Sequence, residues 1–131
     1  MQPIYDALFD MIPIDRLNEY VENGTIQIAP LAFMRGRTLD KAFVILDEGQ
    51  NSTEQQMKMF LTRMGKNAKF VINGDPGQID LPRKQISGLK ESLLALKDID
   101  GIAQIYLDDK DVIRHRLVKS IISAYKGIET D

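Results

Sequence analysis

The stretch that most constrains this chain is AFVILDEGQN, residues 42–51. Residues 42–46 form an uninterrupted apolar run of strand length, the pattern of a strand buried on both faces inside a parallel sheet. The run stops abruptly at Asp47 and Glu48. Open α/β sheets bind their ligands just outside the carboxyl ends of such strands, so two carboxylates there mark a candidate site. Neighbouring strand residues point to opposite sides, which gives the two acids different tasks. Asp47 suits a hydrated Mg²⁺, which takes one or two protein carboxylates and keeps several waters. Glu48 is then free to orient or deprotonate an attacking water. The competing reading is an acidic strand end emerging into solvent.

The remainder of the chain alternates helical and strand patterns. Residues 2–12 carry Ile4, Leu8, Met11 and Ile12 on one helical face, ended by Pro13. A second short helix bears Leu17, Tyr20 and Val21, with Asp15 as its expected cap and Asn23-Gly24 as its stop. Residues 25–29 alternate as a strand, with Ile26 and Ile28 inward. Beyond the acidic pair, Ser52 and Gln55 have capping-box spacing, and Met57, Phe60, Leu61 and Met64 form the stripe of a helix. Residues 68–72 read as the next buried strand, delivering Asn73, Gly74, Asp75, Pro76, Gly77 and Gln78 at its tip. Ser87 and Gly88 open a further helix, residues 102–107 read as a strand, and a last helix is expected over residues 112–126.

Strands alternating with helices predict an α/β fold, a mostly parallel sheet with helices on both faces, in one domain over residues 1–131. In a parallel sheet the carboxyl strand tips share one edge. Asp47, Glu48 and Gln50 are therefore expected to face the 74–78 turn across a crevice, where Gln78 would reach a terminal phosphate or the attacking water. Gly74 would let the backbone approach a ligand.

Composition narrows the classes. A net charge of −2 leaves no global basic field, so any nucleic acid must be held by a local patch. Arg35 and Arg37 are candidates for that patch, at glycine-linked spacing. There are no cysteines and one histidine, which excludes disulfides and histidine-rich zinc sites. No apolar run approaches the roughly 20 residues that span a bilayer, so no membrane partner is expected and a cytoplasmic location is.

The segments MRGRTLDKAFVILDEGQNSTEQQMKMFLTRMG, VINGDPGQIDLP and DVIRHRLV resemble the PhoH family of P-loop ATPases, whose core is similar to the RecA-like domain of superfamily 1 helicases. The resemblance covers nearly the whole chain. It implies that Asp47 and Glu48 are the Walker B carboxylates, with Asp47 on Mg²⁺, and that Gln50 belongs to the same motif. It further implies that Asp75 and Gln78, beside Gly74, sense the terminal phosphate of ATP, and that Arg114 acts on phosphate as an arginine finger. Two positions depart from the pattern: Gly49 replaces an alanine, which is expected to loosen the loop slightly, and Arg116 replaces a proline.

The larger departure is the absence of Gly-x-x-x-x-Gly-Lys-[Ser/Thr], the loop that cradles phosphates in this family. The chain thus reads as the carboxyl-terminal portion of a larger protein, a partial RecA-like domain missing its P-loop strand. Alone it is expected to hydrolyse ATP poorly and to associate through a vacant sheet edge as a homo-oligomer. The functional expectation is an ATP hydrolase, with coupling to RNA or single-stranded nucleic acid as its helicase-like extension. The alternative is a non-enzymatic nucleic-acid-binding or oligomerisation module.

Overall fold

The computed structural model describes residues 2–129. Two compact units meet in sequence at Asp100 and Gly101. The first opens with helices α1 (Gln2–Met11) and α2 (Ile14–Glu22), followed by a 3₁₀ turn, Leu31–Met34. Strand β1 (Phe43–Leu46), a second 3₁₀ turn (Gly49–Asn51), helix α3 (Glu54–Leu61), strand β2 (Lys69–Ile72) and helix α4 (Gly88–Ala95) complete it. The second unit holds helix α5 (Arg116–Glu129). The fold is α/β, and β1 and β2 pair in parallel with Phe43 opposite Lys69 and Leu46 opposite Ile72.

The β1–α3–β2 crossover brings both strand tips to one edge, as a parallel pair must. Phe60 of α3 packs on Phe70 of β2 with ring centroids 5.0 Å apart. Met57 and Phe60 are buried completely or nearly so, and with Leu89 of α4 they form the core behind the site. At the head of α3 the capping box is Thr53 with Gln56, one residue later than the Ser52–Gln55 spacing suggested. The shift follows from the 3₁₀ turn, which takes Ser52 inward to 5 % exposure.

Several expected elements are not formed. Strand β1 is covered on one face only: Phe43 and Ile45 are 66 % and 44 % exposed. That side opens into a groove of about 670 Å³ also lined by Ile4, Leu8 and Ile26. Residues 25–29 are not a strand, because their polar groups bond locally: Ile26 N–H donates to the Tyr20 carbonyl and Thr25 N–H to Asn23 Oδ1. Asp15 lies within the first turn of α2, and Pro13 takes the capping position. Residues 102–107 form no strand, since a strand needs a ladder and no described strand pairs with them; Ile105 is 84 % exposed. The last helix starts at Arg116 rather than Val112, with His115 Nδ1 accepting from Leu117 N–H in place of an earlier turn.

Helix α4 is seated by a backbone contact. Gly88 N–H donates to the Ser52 carbonyl at 2.7 Å, and a Cβ on Gly88 would lie 2.6 Å from the Thr53 carbonyl oxygen. Backbone cannot yield as a side chain can. Gly88→Ala should lower unfolding stability by about 1–3 kcal/mol, read from the urea midpoint; an unchanged midpoint would show that the α3–α4 contact is not set here.

Candidate functional site

The site grows from the end of β1. Asp47 follows the strand and is half-buried, and its carboxylate accepts no hydrogen bond among the described residues. Glu48 then turns the chain in the left-handed region, φ 54° and ψ 40°. A non-glycine residue there costs roughly 1–2 kcal/mol, which surrounding contacts must offset. They come from the 3₁₀ turn and the tip of β2: Gly49 N–H donates to the Asn73 carbonyl at 2.8 Å, and Asn73 N–H to the Leu46 carbonyl at 2.9 Å.

Gln50 is the hub. Its side chain is 1 % exposed. Nε2 donates to Glu48 Oε2 at 2.5 Å and to the Gln78 carbonyl at 3.4 Å, while Oε1 accepts from Asp75 N–H at 3.1 Å. One buried amide thereby joins the acidic tip of β1 to the turn after β2. Gly74 passes so close that a Cβ would meet Leu89 at 2.6 Å and Gln50 Oε1 at 3.0 Å. The glycine is required by packing against Gln50, on the inner side of the turn.

The turn is locked by its own acid. Asp75 Oδ1 accepts from Gly77 N–H and Oδ2 from Gln78 Nε2, both at 2.8 Å. Asn51 adds a clamp that sequence reasoning missed: its Oδ1 accepts from Asp80 N–H at 2.7 Å. The signal was its place in the polar run directly after Gln50. The first unit therefore brings together Glu48, Gln50, Gly74, Asp75 and Gln78, with Asp47 at the same strand end.

A family model described as PhoH-like protein matches residues 1–126. The chain belongs to the PhoH-like protein family. It is 57 % identical over 125 residues to a PhoH-like protein of Bacillus subtilis, covering 95 % of this chain and 39 % of that protein. It is 49 % identical over 129 residues to a PhoH-like protein of Synechocystis, covering 98 % and 39 %. Identity to protein PhoH of Escherichia coli K12 is 40 % over 126 residues, covering 95 % and 36 %. The chain thus spans less than two fifths of the length of these relatives.

The basic residues of this PhoH-like chain fall in different places. Arg35 ends the first 3₁₀ turn and lines a groove with Lys84, whereas Arg37 donates to Gln27 Oε1 at 3.3 Å and lines the groove beside β1. Arg114 lies in the second unit, exposed, in the irregular segment before α5. It makes no ion pair with Asp109 or Asp111; Asp111 Oδ2 instead accepts from Asp108 N–H at 2.8 Å. No helix among the described residues is long and apolar enough to cross a membrane.

The described residues contain no group of three or more acids or histidines able to enclose a metal. A single carboxylate with free lone pairs, as at Asp47, suits an ion that keeps its waters and takes its other ligands from substrate phosphates. Replacing Gln50 by Leu would strip Glu48 of its donor and Asp75 N–H of its acceptor in a part-buried network. Stability should fall by roughly 1–3 kcal/mol, and amide exchange at Asp75 should speed up. Unchanged exchange there would show that Gln50 does not hold the turn.

Proposed function

We propose that the β1–β2 rim is the water-activating side of an ATP hydrolase site. The observation that supports it is the Gln50 amide, which holds Glu48 and the 75–78 turn in one network at the strand tips. In this reading Asp47 holds Mg²⁺ and Glu48 takes the proton of the water that attacks the γ-phosphoryl group. Bound Mg²⁺ supplies positive charge to the phosphate oxygens. Gln50 is a positioning residue: fully buried, it aims Glu48 rather than touching the nucleotide. Gln78, exposed at the rim, meets the terminal phosphate or the water, and the Gly74–Asp75 backbone carries it there. Arg114 supplies charge to the transferring phosphoryl group.

These 131 residues contain no P-loop sequence. Turnover is accordingly proposed for a longer protein that carries one, with the helicase-like resemblance supporting coupling to RNA or single-stranded nucleic acid. In that protein, Glu48→Gln should leave nucleotide affinity unchanged and lower turnover by about 10²–10⁴-fold. Undiminished hydrolysis would overturn the assignment of the base. If Arg114 acts on a neighbouring subunit's nucleotide, mixing Arg114→Ala with Glu48→Gln subunits should restore activity that neither variant shows alone; no recovery would place the arginine's action within its own chain.

A further inference from the structure

A second concave site lies in the first unit, lined by none of the rim residues Asp47, Glu48, Asp75 or Gln78. Its walls are the 3₁₀ turn Leu31–Met34, the first turn of α3 and the segment just before α4, and its volume is about 840 Å³. Ligand clefts run from about 300 to 1,000 Å³. Two cations, Arg35 and Lys84, line it, and neither has a hydrogen-bonding or ionic partner among the described residues. The lining also holds one carboxylate, Glu54, which lies beside Glu91 and, together with desolvation, raises the pKa of that neighbour. With two cations against one carboxylate the lining keeps a net charge of +1, and neither cation is ion-paired to that carboxylate.

The rest of the lining has two other properties. Gln55 and Gln85 offer side-chain amides that no group among the described residues uses, able to donate and accept at base edges. Ile86, 79 % exposed, gives an apolar surface together with Leu31 and Met59. Cations for a backbone, an apolar surface for ring faces and amides for edges together suit unpaired nucleic acid. Arg37 has no part in it, being bonded to Gln27 on the other groove.

We propose that the groove of Arg35, Lys84, Gln55, Gln85 and Ile86 binds single-stranded nucleic acid, with Arg35 and Lys84 each holding one phosphate. The assignment gives the nucleic-acid coupling proposed above its location, and it moves the basic patch from Arg35 with Arg37 to Arg35 with Lys84. The test is anisotropy of a labelled oligouridylate of about 12 nucleotides, titrated with the chain at a series of salt concentrations without ATP or Mg²⁺. Arg35→Ala with Lys84→Ala should weaken binding about tenfold or more and flatten the log–log salt slope by about 1.4, roughly 0.7 for each phosphate left without its cation. Arg35→Lys should retain most of the affinity, and Arg37→Ala should change neither quantity. Equal loss of affinity on Arg37→Ala, or undiminished binding by the double variant with its circular dichroism intact, would overturn the proposal. Displacement of the oligonucleotide by an equal concentration of free UMP would also overturn it, assigning a mononucleotide pocket instead. Because no ATP is present, a failed hydrolase reading leaves this outcome unaffected.

Discussion

The site depends on one buried amide. A glutamine with both ends of its side chain out of water must find partners for them, or cost a few kcal/mol. Gln50 finds them on three backbone and side-chain groups from two separate loops. This is why the left-handed turn at Glu48 is held: the carboxylate that the turn swings round is captured at its far end. Gly74 carries no side chain beside the Gln50 amide, since a Cβ would lie 2.6 Å from Leu89 Cδ2 and 3.0 Å from the amide oxygen. Strand pairing sets the two tips side by side, and Gln50 fixes their separation.

The arrangement couples the two loops mechanically. Movement of the 75–78 turn pulls on Asp75 N–H and the Gln78 carbonyl, and both bonds end on the side chain that holds Glu48. The turn is otherwise stiffened from within, by Asp75 bonding Gly77 and Gln78. A rigid turn on a single connecting amide transmits displacement better than a flexible one. Displacement of the turn at Gln78 is therefore passed to Glu48 through the Gln50 amide.

Much of this was legible in the sequence. An apolar run ending in two acids, followed by a capped helix and a second apolar run, fixes a parallel βαβ unit, and the meeting of Gln50 with the 74–78 turn follows from topology. What was not legible depends on partners. Residues 25–29 and 102–107 have strand composition, but a strand exists only where a ladder neighbour offers its polar groups. Composition also overstated the burial of β1: Phe43 and Ile45 are apolar yet largely exposed, on a strand that lines a groove. The left-handed turn at Glu48 has no sequence signal, because glutamate is not a residue that favours it. Spacing placed Arg35 and Arg37 together, while the 3₁₀ turn sends them to separate grooves.

Gly49 shows how a small departure from a family pattern acquires meaning only in three dimensions. Read as sequence, replacing the usual alanine removes a methyl and loosens a loop. In the fold, Gly49 is buried, and a Cβ there would lie 2.8 Å from Ile72 Cγ2 and 3.1 Å from the Asn73 carbonyl oxygen. With only a hydrogen in that space, Gly49 N–H donates to the Asn73 carbonyl at 2.8 Å. The glycine thus tightens the joint between the two strand tips. An alanine here would require the Ile72 side chain and the Asn73 carbonyl to give way, so residues 49 and 72 act as one packing unit behind Gln50.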